Sequence, residues 1–232
     1  MKSIAIITAR GGSKRIPRKN IRSFLGKPII EYSIEAAINS SCFDEVMVST
    51  DDNEIAEIAR KAGASVPFMR SPETSHDKAT TVEVLIEVLD KYKSIGKEFD
   101  FCCCIYPTAP FITKSKLLNA YQKILSSNAK SLVPVVRFGF PILRSFKIEE
   151  GLVKMNWPEH MNSHSQTLPT AYHDCGQFYI LKVKDFLIDK RLFTDYTIPY
   201  EIPESEVQDI DNEEDWKIAE IKYTFIKENI KK

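Results

Sequence analysis

The chain has 232 residues, 43% of them hydrophobic, and its 32 basic and 32 acidic side chains give a formal net charge of +0. That length and apolar content allow one sizeable core and exclude disordered and fibrous classes, while a neutral total offers no global attraction to nucleic acid or membranes. No apolar stretch is long enough to span a bilayer, the N-terminal apolar run is too short and strand-like for a signal peptide, and an odd count of five cysteines without framework spacing argues against a disulfide scaffold. A reduced, cytoplasmic protein of one main domain is expected.

The first run, Ile4 to Ala9, reads as a buried strand. It ends in Gly11-Gly12 and a cationic loop holding Arg10, Lys14, Arg15, Arg18, Lys19 and Arg22 with no acid among them, so that charge must be met by solvent or by an anionic partner. Glycines let the backbone turn sharply and approach phosphate closely. Because α/β sheets place ligand crevices at strand ends, a polyphosphate cradle fits better than a nucleic-acid patch or a solvated turn.

Pro28 marks a helix start with Ile30, Ile34, Ala37 and Ile38 as its apolar stripe. Glu45 to Thr50 reads as a strand, Asp51 or Asp52 as the cap of a helix carrying Ile55, Ile58, Ala59 and Ala62, and Val66 to Met69 as a further short strand. A helix over Thr80 to Tyr92, a strand over Phe99 to Ile105, a helix capped by Thr113 and a strand over Ser131 to Val136 follow. This alternation defines an α/β protein built of βαβ units around a mainly parallel sheet.

From Arg137 to Tyr172, glycines and prolines interrupt short strand-like pieces. This inserted stretch reads as an extended arm whose Phe138, Phe140, Ile142, Phe146, Leu152 and Trp157 either cover a second copy of the chain or fold back on their own subunit. Self-association is the expectation. Cys102, Cys103 and Cys104, consecutive on a strand, point to alternating faces and read as small buried hydrophobes rather than one metal site. Cys175 is read as packing beside a pocket.

Two further clusters carry chemistry. Asp209 and Asp211 alternate, so an extended segment projects both to one face, where they suit a hard divalent cation completed by phosphates; Asp211 with Glu214 also reads as a capping box for the final helix. His173 and Asp174 precede Gly176-Gln177 and the strand Phe178 to Leu181, which suggests either a substrate pocket or a turn held by Asp174. His76, His160 and His164 show no ligand spacing.

Taken together, Ala9-Arg10-Gly11-Gly12-Ser13-Lys14, Pro17, Lys19-Asn20, Val48-Ser49-Thr50-Asp51, Pro107-Thr108-Ala109-Pro110 and Asp209-Ile210-Asp211 resemble the CMP-sialic acid synthetase family of cytidylyltransferases over nearly the whole chain. Arg70-Ser71-Pro72-Glu73, His76-Asp77-Lys78-Ala79-Thr80-Thr81 and Tyr172-His173-Asp174-Cys175-Gly176-Gln177-Phe178-Tyr179 look like its pseudaminic acid branch. Sialic acid enzymes typically carry arginine-proline-asparagine-glycine where this chain has His173-Asp174-Cys175-Gly176, and glutamine where it has Tyr106.

The resemblance implies a Rossmann-like nucleotidyltransferase fold, a homodimer, and transfer of CMP from CTP to the anomeric hydroxyl of a nonulosonic acid with Mg²⁺ as cofactor. It implies that Arg10 and Lys14, with Gly11, Gly12 and Ser13, hold the triphosphate, that Lys19 and Asn20 lie near the nucleotide, and that Arg70, Ala79 and Thr81 read cytosine. Asp209 and Asp211 would anchor the metal; Arg10, Lys14, Lys19 and Asp211 are the expected catalytic set, and Tyr106, His173, Asp174 and Gln177 the expected sugar contacts. Arg15 and Lys27 have no assigned role. N-acetylneuraminic, legionaminic and 3-deoxy-octulosonic acids are the alternative sugars. A nucleotide-binding regulatory protein without turnover is the alternative class, separated by pyrophosphate release. An NAD enzyme and a P-loop ATPase fit poorly, since neither G-x-G-x-x-G nor G-x-x-x-x-G-K-[ST] is present.

Overall fold

The apolar runs become the middle of one seven-stranded sheet. The computed structural model describes residues 1–230. In chain order, β1 (Ser3–Thr8) leads through the cationic loop to a short ribbon of β2 (Ser23–Phe24) and β3 (Lys27–Pro28), then α1 (Ile29–Ser40), β4 (Glu45–Ser49), α2 (Asn53–Lys61), α3 (Pro72–Ser75), α4 (Thr81–Ser94), β5 (Phe101–Ile105), α5 (Lys114–Leu125) and β6 (Ser131–Arg137). The chain continues with a hairpin of β7 (Phe146–Glu149) and β8 (Leu152–Met155), then β9 (Tyr172–Asp174), β10 (Phe178–Lys182), α6 (Val183–Asp189), β11 (Thr197–Glu201) and α7 (Glu213–Ile230).

The sheet order is β11-β6-β10-β5-β1-β4, with β9 beside β6. Strands β1, β4, β5, β6 and β11 share one direction; β10 lies antiparallel between β5 and β6. Because side chains alternate along a strand, β1 sends Ala5 and Ile7 to the face covered by α1, α2 and α5, and Ile4 and Ile6 to the face covered by α4 and α6. The three cysteines of β5 divide the same way, Cys103 to the first face and Cys102 and Cys104 to the second, all fully buried. Burial raises their pKa values, that of Cys104 to about 12, which leaves inert thiols.

Helix ends follow the sequence signals. Asp52 Oδ1 accepts from the Ile55 N–H at 3.0 Å, Thr80 and Glu83 form a reciprocal capping box, and Thr113 Oγ1 accepts from the Lys116 N–H at 3.3 Å. Two expectations are corrected. Val66 to Met69 is not a strand: only Ser65 bridges to Met47, and Pro67 has no N–H to extend the ladder. The final helix is capped one residue later than Asp211, by Asn212 Oδ1 accepting from Glu214 and Asp215 N–H at 2.8 and 3.0 Å, while Asp215 reaches back to the Asp211 and Asn212 N–H groups.

A third cluster joins the two distant ends of the chain. Ile16, Phe24, Ile29 and Tyr32 pack with Ile210, Trp216 and Ala219, and Phe24 makes edge-to-face contacts with Tyr32, Trp216 and Tyr223 at 5.5–5.7 Å. This cluster seats α7 against the cationic loop. On the other side, Arg137 and Tyr172 pair across the β6–β9 ladder, and every residue from Arg137 to Asp174 is half-buried or exposed. No helix among the described residues is long and apolar enough to cross a membrane.

Candidate active site

A cleft of about 510 Å³ opens at the carboxyl ends of β1 and β5, where an open α/β sheet leaves a crevice. Arg10, Ser13, Lys14, Lys19 and Asn20 line it from the first loop, and Arg70, Ala79 and Thr81 from the chain around α3 and the start of α4. Tyr106 enters from the end of β5, and Asp209 and Asp211 from the segment before α7. Eleven of the expected residues thus meet in one place; Gly11, Gly12, His173, Asp174 and Gln177 lie outside the lining.

The loop is held by its own polar groups. Asn20, 5% exposed, donates its amide to Arg10 O at 2.8 Å, and the Gly11 N–H donates to Asp51 Oδ1 at 2.9 Å. Gly11 and Gly12 adopt no positive φ, and the two differ in what surrounds them. A Cβ on Gly11 would lie 2.8 Å from Asp52 Oδ2, whereas one on Gly12 would meet nothing within 4 Å. Gly11 is small for its own protein, and Gly12 leaves an open face.

The expectation that solvent or an anionic partner must meet the loop's charge is corrected: acids from distant segments of the chain itself meet every one of its six cations. Arg18 pairs with Asp52 and Glu54, and Arg22 pairs with Glu213 while lying 4.5 Å over the Trp216 ring. Arg10 pairs with Asp77 at 2.7 Å and Lys14 with the other oxygen of the same carboxylate, which together hold Asp77 below the usual carboxylate range. Arg15 sits 2.8 Å from Asp211, and Lys19 3.9 Å from it. Burial pulls the Lys19 pKa down despite those acids, and its ammonium donates to Ile210 O at 2.6 Å. Sequence reasoning missed these pairs because partners 34 or more residues away leave no local signal.

Beside Arg15 and Lys19, Asp209 and Asp211 form the candidate metal centre. Desolvation by the cleft walls, and then the charge of Asp211, push the Asp209 carboxyl up. Two like charges so placed favour a cation between them. Among the described residues no group of three or more His, Cys, Asp or Glu side chains forms a complete cage. The donor set therefore suits a metal that uses few carboxylates and fills its shell with phosphate and water, as Mg²⁺ does.

The rest of the lining includes polar and aromatic groups. Arg70 is 8% exposed and donates Nε to Ser49 Oγ at 3.0 Å and NH2 to Ser49 O at 2.6 Å, which fixes its plane; burial lowers its pKa. Thr81 Oγ1 and Tyr106 OH lie 3.1 Å apart, and Tyr106 packs edge-on against Tyr179 at 5.7 Å. Tyr179 OH donates to Asp174 Oδ2 at 2.6 Å, while Asp174 Oδ1 accepts the Gly176 N–H at 2.9 Å. Asp174 thus holds the turn and also orients a tyrosine behind the cleft. His173 is exposed against Phe138, their ring centroids 4.8 Å apart. Gln177 is 1% exposed and donates Nε2 to Glu206 O at 3.1 Å. Cys175 is 3% exposed and burial raises its thiol to about 12, as suits a packing group. Asp77, Thr8, Arg15 and Thr108 also line the cleft.

Fold and cleft define a nucleotidyltransferase, and the chain belongs to the cytidylyltransferase family, whose model matches residues 4–194. It is 44% identical over 224 residues to the pseudaminic acid cytidylyltransferase of Campylobacter jejuni, covering 96% of this chain and 97% of the relative. It is 34% identical to the CMP-N,N'-diacetyllegionaminic acid synthase of Legionella pneumophila, covering 95% of each. A solved CMP:2-keto-3-deoxy-manno-octonic acid synthetase complexed with CTP shares the fold with a TM-score of 0.70 at 16% identity, over 98% of this chain and all of that one.

Proposed function

We propose that this chain transfers CMP from CTP to the anomeric hydroxyl of pseudaminic acid. The hydroxyl oxygen attacks the α-phosphorus and forms the new P–O bond, the bond to the bridging oxygen breaks, pyrophosphate departs, and the hydroxyl proton passes to solvent. The observation that carries this reading is the cleft itself, which brings the loop cations, two carboxylates, a buried arginine and a tyrosine together. The 44% identical relative of matching length supports the choice of sugar.

Arg10, Lys14 and Ser13 would bind the triphosphate and neutralise the departing pyrophosphate, aided by the open backbone at Gly12. Nucleotidyl transfer needs such alignment and charge neutralisation more than covalent catalysis. Arg70, Ala79 and Thr81 would read cytosine. Asp209 and Asp211 would hold Mg²⁺, which would supply charge neutralisation for the phosphates and would lower the pKa of a nearby hydroxyl. Tyr106, Asp174 and His173 would face the sugar, where polar groups discriminate sharply between substrates.

The arm supports a homodimer. Phe146, Ile148 and Val153 are 61–76% exposed and share one face of the β7–β8 hairpin, a patch that a second copy would cover. The same arm would then close over the neighbouring sugar pocket.

The test is pyrophosphate release from CTP and Mg²⁺ with pseudaminic, legionaminic and N-acetylneuraminic acids in parallel, repeated with Asp211→Ala. Turnover chiefly with pseudaminic acid, lost in the variant, is expected. Release with a different acid would overturn the choice of sugar, and CTP binding without release would overturn the reaction.

A further inference from the structure

The chain from Glu204 to Asp211 is a strap that has no regular structure beyond one 3-10 turn at Glu204–Glu206, yet it carries both carboxylates of the cleft. In such a segment the position of the side chains depends on what holds the backbone carbonyls. Three elements supply the donors. Lys222 Nζ, from α7, donates to Val207 O at 2.8 Å and Glu204 O at 3.3 Å. Gln177 Nε2, just before β10, donates to Glu206 O at 3.1 Å. Lys116 Nζ, from α5, lies 2.7 Å from the Glu206 carboxylate and donates to Phe111 O at 2.8 Å. Val207 and Ile210 are buried on either side of Asp209, so the strap is pinned through both its polar and its apolar groups.

We propose that Lys116, Gln177 and Lys222 are positioning residues that hold this strap so that Asp209 and Asp211 enter the cleft as a pair. The proposal rests on the reading of that pair as the divalent-cation site. Gln177 argues for it: a side chain 1% exposed has its amide engaged on one backbone carbonyl while its Oε1 has no partner among the described residues. Buried polar atoms rarely stay unpaired, so an apolar residue would be favoured here unless the Glu206 contact mattered. The lysines contribute in another way. Lys222 makes charge-assisted bonds to two carbonyls of a segment bearing two like charges, and Lys116 ion-pairs with the Glu206 carboxylate of that segment, contacts that a neutral donor would hold less firmly. None of the three lines the cleft, although the Gln177 carbonyl accepts the Tyr106 N–H at 2.9 Å, so the two lysines reach the cleft through the strap.

Lys222→Met keeps the aliphatic stem and removes the donors. With CTP present, Mn²⁺ binding followed by water proton relaxation should weaken about tenfold in the variant, as is usual for groups supporting a metal ligand. The kcat with Mg²⁺ should fall to a similar degree, the KM for sugar should stay unchanged, and Lys222→Arg should recover most of the loss. Thermal unfolding without metal checks the fold, and Lys116→Met serves as the second variant should Lys222→Met not fold. Asp211→Ala separates the two readings. If it abolishes Mn²⁺ binding while the lysine variants bind as wild type, the positioning role is overturned and the metal site stands. If it leaves Mn²⁺ binding intact, both fall. A raised sugar KM with unchanged Mn²⁺ affinity also overturns the positioning role.

Discussion

Replacing Gly11 with alanine should destabilise the protein, whereas the same change at Gly12 should not. An alanine Cβ at position 11 would lie 2.8 Å from Asp52 Oδ2 and 2.9 Å from Asp52 Cβ, so one side must move. Asp52 resists: it caps α2 through the Ile55 N–H at 3.0 Å and is held by Arg18 at 2.5 Å. Forced overpacking costs about 1–3 kcal/mol, and a lost cap alone about 1 kcal/mol. A destabilisation of about 2 kcal/mol follows, lowering the thermal midpoint of a chain this size by roughly 4–8 °C. Gly12→Ala meets nothing within 4 Å and should stay within about 0.5 kcal/mol of wild type, while raising the KM for CTP because its open face is where the triphosphate would lie. Urea denaturation midpoints and CTP kinetics on both variants measure this. Equal stability losses in the two, or none in Gly11→Ala, would refute the reasoning.

Three other outcomes can be checked. Asp77→Asn should lower the KM for CTP severalfold at low salt, because Asp77 occupies the Arg10 and Lys14 cations that the triphosphate would take; steady-state kinetics would show an unchanged KM if the carboxylate does not compete. Asp52→Asn keeps a capping side chain but loses the Arg18 charge pair, for a cost of about 1 kcal/mol at neutral pH given the partial exposure of both groups. Arg18 holds the Asp52 carboxyl below its usual value, so the pair's contribution is present above the unfolded value of about 3.9 and is lost as pH falls through the folded one; melting curves of the two proteins should converge in acid. Phe146→Asp with Ile148→Asp should shift light-scattering mass toward a monomer without lowering the thermal midpoint of the subunit, since both side chains are exposed in the single chain.

The sheet and helices were legible because the signals that define them are local. β-branched runs mark β1 and β4, and Asp52, Thr80 and Thr113 each precede an amphipathic stripe they go on to cap. The site was legible where one short segment supplies several of its residues, as the first loop does. Legibility failed where two segments compete or combine. Asp211 reads as a helix cap until Asn212 takes that duty and leaves the carboxylate for the cleft. The cationic loop reads as unpaired because Asp77, Asp211 and Glu213 reach it only through the tertiary fold. Gln177 reads as a polar group at a pocket edge, and only the structure shows it buried against Glu206.

The bond from Lys19 to Ile210 spans 191 residues of chain, and the aromatic cluster around Phe24 and Trp216 makes the same long connection. A nucleotide and metal bound in this cleft would therefore staple the start of the sheet to α7. Ligand binding would then stabilise the whole molecule against unfolding rather than one loop, and the cleft would form only after the most distant contacts in the chain had been made. Binding competence would accordingly mark the completion of folding, so partly folded chains would not sequester CTP.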